Sequence, residues 1–308
     1  MRRPRLSFGS RLMHLVMRLV RALGIAPDFT TFAGDSDAVA RAATAMRRVD
    51  QRTPPRAVRR GRHHEVIDID GSDLHLLGEP GLARRVVLYF HGGGYTIGPS
   101  QPHWTALTEL GDHAGADAAM LLYPRTPEAD SHAVIGAALG AYRHLAARYG
   151  PNNVVVAGDS AGGGLTASLL LALREDGAAQ PHAAILISPW LDLALTDPAA
   201  LAQESTDLML SVDGIRAVGE IYAGERRTDD PLISPIHASL EGLAPMHVFV
   251  GTDELLLAES RAFAKRAEVD GATLTLREMP GGQHCAAIFP TREGRAARAQ
   301  MAALIGWP

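Results

Sequence analysis

"VVVAGDSAGGGLTASLLLAL", residues 154–173, carries an apolar run into a glycine-rich turn and out into a helix-forming segment. A short continuous apolar run bounded by glycine fits a strand buried on both faces, and "LTASLLLAL" continues as a helix. Between them, Gly158-Asp159-Ser160-Ala161-Gly162 fits G-x-S-x-G. Small residues at 158 and 162 let the backbone turn sharply and leave Ser160 exposed at the helix N-terminus. There the helix dipole and free N–H groups favour a developing anion. A dinucleotide-binding turn would need glycine at position 160 and an acidic residue ending the next strand, yet the nearest is Asp192. A Walker phosphate loop also fails, because no G-K-[S/T] occurs.

Working outward, short apolar strands alternate with helices from residue 65, the pattern of an α/β domain with a mainly parallel sheet. Strands are expected at "EVIDID", "DLHLL", "RVVLYF", "AAMLLY", "NVVVAG", "AAILIS", "MHVFVG" and "TLTLREM". Helices are expected near 103–115, 130–149, 161–176, 257–270 and 291–305. Gly71-Ser72 separates the first two strands and suggests a hairpin, so the sheet should be mixed. Residues 1–60 and about 190–235 break the alternation. Both are candidates for a cap over the sheet's carboxyl edge, where open α/β sheets bind ligands. The chain thus divides into an N-terminal cap segment, 1–60, and a catalytic domain, 61–308.

A serine hydroxyl is a weak nucleophile and needs a base held by a carboxylate, in the chain order Ser…Asp/Glu…His. Downstream stand "VFVGTDELLLAES" and "MPGGQHCAAIF". His284 follows the last strand across a Gly-Gly turn. Asp253 is preferred as the acid because it comes first after a strand and glycine turn. Glu254 competes, although it also suits the first turn of a helix. Cys285 is expected to point away from the chemistry. Behind "VVLYF", "HGGGY" spends three consecutive glycines, which lets main-chain N–H groups of 91–94 face an oxyanion. Ala161 supplies a further donor. Tyr95 and Trp190 are candidates for the substrate pocket.

The stretches "HGGGY", "GDSAGG", "ISPWLDL", "DPLISP", "VGTDELLLAES" and "GGQH" stand in one order over about 65–290. In this the chain resembles the bacterial hormone-sensitive-lipase-like esterases of the α/β-hydrolase superfamily. The resemblance implies an α/β-hydrolase fold with a helical cap drawn largely from the N-terminus, and often a homodimer. It also implies Ser160, Asp253 and His284 as a triad, with Gly93, Gly94 and Ala161 as oxyanion donors. Where such enzymes read Y-R-L-A-P-E-H-P-F-P, this chain has "YPRTPEADSH". The expected activity is hydrolysis of short-to-medium acyl esters through an acyl-enzyme. An amidase with the same triad, or a ligand-binding protein on the same scaffold, are the rival readings.

The chain has 308 residues and a single cysteine, Cys285, which excludes an intrachain disulfide. No cofactor is implied. No metal is indicated either, since H-E-x-x-H is absent and His63-His64 sits in an arginine-rich linker that reads as solvated surface. Residues 1–62 hold 14 Arg and four acidic residues, net +10, whereas the remainder is net −14. Such a basic arm suits nucleic acid, an acidic membrane or its own acidic body; docking on the body is preferred, and the expected partner is a small-molecule ester rather than nucleic acid. Arg11, His14, Arg18 and Arg21 line one side of an amphipathic helix. Leu12, Leu15, Val16, Leu19, Val20 and Leu23 line the other and are expected to pack on the protein. The longest uncharged run there, "LMHLVM", falls short of a signal core, and no run approaches a membrane span. A cytoplasmic location is expected.

Overall fold

A computed structural model describes residues 6–23, 36–78 and 84–307. Helices α1 (Phe8–Ala22), α2 (Ser36–Met46) and α3 (Arg56–Arg59) precede the strands β1 (His63–Ile69), β2 (Ser72–Gly78) and β3 (Val86–Phe90). Then follow α4 (Gln101–Ala114), β4 (Asp117–Leu121), α5 (Ser131–Tyr149), β5 (Val154–Asp159), α6 (Ala161–Glu175) and β6 (Ala183–Ile187). After α7 (Pro198–Gln203) and α8 (Val212–Ala223) come β7 (Met246–Gly251), α9 (Leu257–Val269), β8 (Leu274–Met279) and α10 (Arg292–Ile305).

The eight strands form one sheet in the order β1-β2-β4-β3-β5-β6-β7-β8. The two pairings of β2 are antiparallel and those from β4 to β8 are parallel. Every residue of β3, β4, β5, β6 and β7 is buried, which is why these strands read as unbroken apolar runs rather than alternations. One face packs on α4 and α10 through Trp104, Leu107, Met301 and Ile305. The other packs on α5, α6 and α9, with Leu145, Leu169 and Phe263 in its core.

The β1–β2 turn is Asp70-Gly71 rather than Gly71-Ser72, because Ile69 already pairs with Ser72. Both turn residues have positive φ, 48° and 86°, which a two-residue hairpin of matching twist requires. His63 and His64 open β1 instead of lying in a linker. His63 is exposed, but the His64 Nε2 lies 2.9 Å from Nδ1 of the buried His75.

The N-terminal segment departs from expectation. Helix α1 lies against α10, and its start is held by Glu293, whose carboxylate accepts from Ser7 N–H, Ser7 Oγ and Ser10 Oγ at 2.6, 2.6 and 2.7 Å. The helix is thus fixed at its start by polar contacts. Leu12, Leu15, Val16 and Leu19 remain about half exposed, and Leu23 more so, instead of packing on the protein. A 240 Å³ cavity separates Ser10, Met13 and His14 from the 277–282 segment. Helix α2 packs instead against α8. Residues 24–35 lie outside the described residues.

Candidate active site

The turn from β5 into α6 is built by close approach. A Cβ on Gly158 would stand 2.2 Å from the Gly162 carbonyl oxygen, and one on Gly162 would stand 2.0 Å from that of Phe90. With those side chains absent, α6 starts directly on the ends of β3 and β5. Ser160 takes φ 54°, ψ −121°, a conformation costing an ordinary residue about 1–3 kcal/mol. Its backbone is held from both sides, as Ser160 N–H donates to Ile187 O (2.8 Å) and Ser160 O accepts from Gly164 and Trp190 N–H (3.0 Å each).

The Ser160 Oγ lies 2.9 Å from His284 Nε2, and His284 Nδ1 lies 3.3 Å from Glu254 Oε1. All three side chains are buried. The carboxylate at the imidazole is therefore Glu254, not Asp253. Around Gly251 the chain folds so that Glu254 Oε2 reaches back under β7 and accepts from Gly251 N–H and Ser188 Oγ, both at 2.8 Å. Asp253 falls on the outer side of the same turn, partly exposed, its Oδ1 accepting from Thr252 Oγ1 at 3.2 Å.

Burial pushes the His284 pKa down, but the hydrogen bond and charge of Glu254, with Asp207 and Asp159 further off, outweigh it and leave it raised. Asp207, which sequence reasoning passed over, is fully buried and accepts from the N–H groups of Leu255, Met209 and Leu210. It thereby ties the loop before α8 to the turn that carries Glu254.

Gly93 and Gly94 have φ of 113° and 58°, and a Cβ on Gly93 would meet Ile97 Cγ1 at 2.5 Å. Among the described residues no hydrogen bond engages either N–H. Ala161 is the first residue of α6, where N–H groups have no partner within the helix. Gly92 differs: its N–H donates to Asp159 Oδ1 at 3.0 Å. Asp159 also accepts from Tyr89 Oη at 2.7 Å and meets His103 Nε2 at 3.2 Å. Burial alone would raise the Asp159 carboxyl, but His103, Tyr89 and the Gly92 N–H hold it below its ordinary value. The residue before the serine thus fastens the glycine loop to the elbow. His91, which burial pushes down to about 3, is neutral and stacks on Tyr123 at 4.4 Å.

The N-terminal segment reaches this loop through residues 47–51. Arg47 donates to Thr96 O (2.8 Å), Thr126 O (2.5 Å) and both oxygens of Glu128. Asp50 accepts from Gly98 N–H at 2.8 Å and pairs with Arg125. Arg125 belongs to the stretch "YPRTPEADSH", so that departure has an ion-pair partner in the N-terminal segment.

Three further expectations need correction. Tyr95 and Trp190 are core residues: Tyr95 is fully buried and stacked on Tyr222 at 3.6 Å, and Trp190 donates through Nε1 to Asp192 O at 2.8 Å. They back the glycine loop rather than present open faces. Cys285 does not point away, for its Sγ lies 3.4 Å from His284 Nε2 and 3.6 Å from Asp159 Oδ2. Its backbone adopts φ 56°, which turns the side chain inward beside its neighbour. Burial and the charges of Asp159 and Glu254 push the thiol far up, so it stays protonated and is a poor nucleophile.

A family profile describing the α/β-hydrolase fold matches residues 87–288. Over 197 residues the chain is 39% identical to an acetyl-hydrolase of Streptomyces hygroscopicus, a match covering 64% of this chain and 66% of that one. The chain thus spans about two thirds of that relative's length. A hormone-sensitive lipase from a metagenome library superposes with a TM-score of 0.82 at 27% identity, covering 96% of this chain and 97% of that one. EstE5, in a crystal soaked with p-nitrophenyl butyrate, gives 0.81 at 28%, covering 94% and 96%.

Proposed function

Because this chain belongs to the α/β-hydrolase family, and because a serine, an imidazole and a carboxylate stand in one buried line at its centre, we propose that it is a serine hydrolase of carboxylic esters. The observation that carries the reading is the 2.9 Å contact between Ser160 Oγ and His284 Nε2, with Glu254 on the other ring nitrogen. In this reading Glu254 fixes the tautomer with the proton on Nδ1, leaving Nε2 to accept from the serine hydroxyl. Ser160 Oγ attacks the ester carbonyl as His284 takes its proton. The N–H groups of Gly93, Gly94 and Ala161 receive the tetrahedral oxyanion, each such donor lowering the barrier by ~3 kcal/mol. His284 then protonates the leaving alcohol, and water repeats the sequence on the acyl-enzyme.

Two relatives carry names or titles that point to small acyl groups, an acetyl-hydrolase and EstE5 soaked with a butyrate ester. We assign this chain the same class, short-to-medium acyl esters. A p-nitrophenyl ester series from acetate to palmitate tests it: turnover should be greatest among the short chains. A serine-directed fluorophosphonate should label Ser160 in stoichiometric yield, read by mass spectrometry of the tryptic peptide. No turnover of any ester, together with no labelling, overturns the reading.

A further inference from the structure

An amphipathic helix at a protein surface normally turns its apolar face inward. On helix α1 the main apolar stripe faces outward. The start of the helix is fixed to the body through the Ser7 and Ser10 bonds to Glu293, and its inward side carries Ser10, Met13 and His14. Its outward side carries Phe8, Leu12, Leu15, Val16, Leu19 and Leu23, spaced three and four residues apart, with exposures from 48% to 74%. Such spacing puts them on one stripe, roughly 22 Å long at 1.5 Å per residue. Arg11 and Arg18 are exposed along one border of it.

Charge decides what this ridge fits. The helix, FGSRLMHLVMRLVRA, contains no acidic residue. Two copies packed ridge to ridge would bring arginines alongside arginines with no carboxylate from either helix between them. The same arginines suit a surface of fixed negative charge, and an apolar stripe bordered by arginine is the pattern of a helix lying in a membrane interface. We propose that α1 is an interfacial helix that seats its Phe8–Leu23 ridge in an anionic lipid surface. Helix α1 flanks the 277–282 segment, which leads directly into His284. Lipid docking would therefore bring the side of the molecule next to the histidine loop down onto the membrane. This inference stands apart from ester hydrolysis, since it is read by binding alone.

The test is flotation of the full chain with vesicles of phosphatidylcholine, with and without phosphatidylglycerol. Binding should require the anionic lipid and weaken as salt rises. Arg11→Gln and Arg18→Gln should each reduce partitioning roughly fivefold at low salt, as expected for one cation near such a surface. Leu15→Glu with Leu19→Glu should abolish it while the melting temperature and p-nitrophenyl acetate hydrolysis stay unchanged. Absence of flotation with either vesicle overturns the proposal, as does flotation that the double glutamate variant retains. A marked fall in melting temperature for that variant would mean that the ridge is covered within the monomer. A dimer in sedimentation that the variant breaks, with no lipid binding, would assign the ridge to a second copy.

Discussion

At the turn around Ser160 the backbone is held from both sides, whereas α1 is fastened at one end by a single carboxylate. The elbow touches β3, β6 and the glycine loop, and no Cβ fits at Gly158 or Gly162. Along α1 the main polar anchor is Glu293, and most of the apolar side chains face outward. The difference teaches where geometry is determined by its surroundings. A strained φ such as that of Ser160 persists only when neighbours over-determine it. A helix with one polar anchor keeps its shape by its own hydrogen bonds and is free to find another surface.

That contrast is open to direct attack, beginning with the largest effect. Ser160→Ala should lower kcat by at least ~10⁴-fold with the fold intact, because the nucleophile has no substitute. Circular dichroism alongside ester kinetics checks both halves. Next, Glu254→Gln should cost ~10³- to 10⁴-fold in kcat, whereas Asp253→Asn should stay within a few-fold. The pH profile separates them further. His284 accepts a proton only when neutral, and its pKa is raised, so kcat/KM should fall as pH drops through a value above 6.5. Removing the Glu254 charge removes a raising influence and should move that acid limb to lower pH. Asp253→Asn should leave it in place.

Arg47→Ala probes whether the over-determined region extends into the N-terminal segment. Loss of its bonds to Thr96 and Thr126 carbonyls should loosen the glycine loop and lower kcat about tenfold with little change in KM, since the oxyanion donors act chiefly in the transition state. An unchanged kcat would confine the rigid region to the sheet edge. The smaller effects come last. Glu293→Gln should speed amide hydrogen exchange across α1 while hydrolysis stays within about twofold, as befits a separately opening unit. Cys285→Ala should retain activity within a few-fold, because its protonated thiol lacks a depressed pKa.

Strands β3 to β7 were legible because burial on both faces leaves an unmistakable apolar run, and all eight strands of the sheet lie within two residues of where the pattern puts them. Ser160 and His284 were legible because their turns demand small residues at fixed offsets. The acid was missed by one position for a physical reason. Strand periodicity says which side a residue faces, but it ends at Gly251, and the turn beyond it decides whether residue 253 or 254 points under β7. The available signal was the absence of any need for Glu254 as a helix residue: α9 begins only at Leu257. Amphipathicity likewise identified the apolar stripe of α1 but not whether it meets the body. That choice rests on Glu293, nearly three hundred residues away. Asp159 was hidden as a variable position inside a motif, although its bonds to Tyr89, Gly92 and His103 make it the link between β3, α4 and the elbow.

That link has a consequence for how the molecule opens. A carboxylate buried between Tyr89, the Gly92 amide and His103 cannot let go of one without exposing charge to the protein interior, which is costly. Local breathing that frees the glycine loop alone is thereby suppressed. The Gly92 amide should exchange its hydrogen only in excursions that separate β3 from β5, on the time scale of global unfolding. Inactivation by heat or denaturant would then coincide with loss of the sheet itself, with no folded but inactive species preceding it.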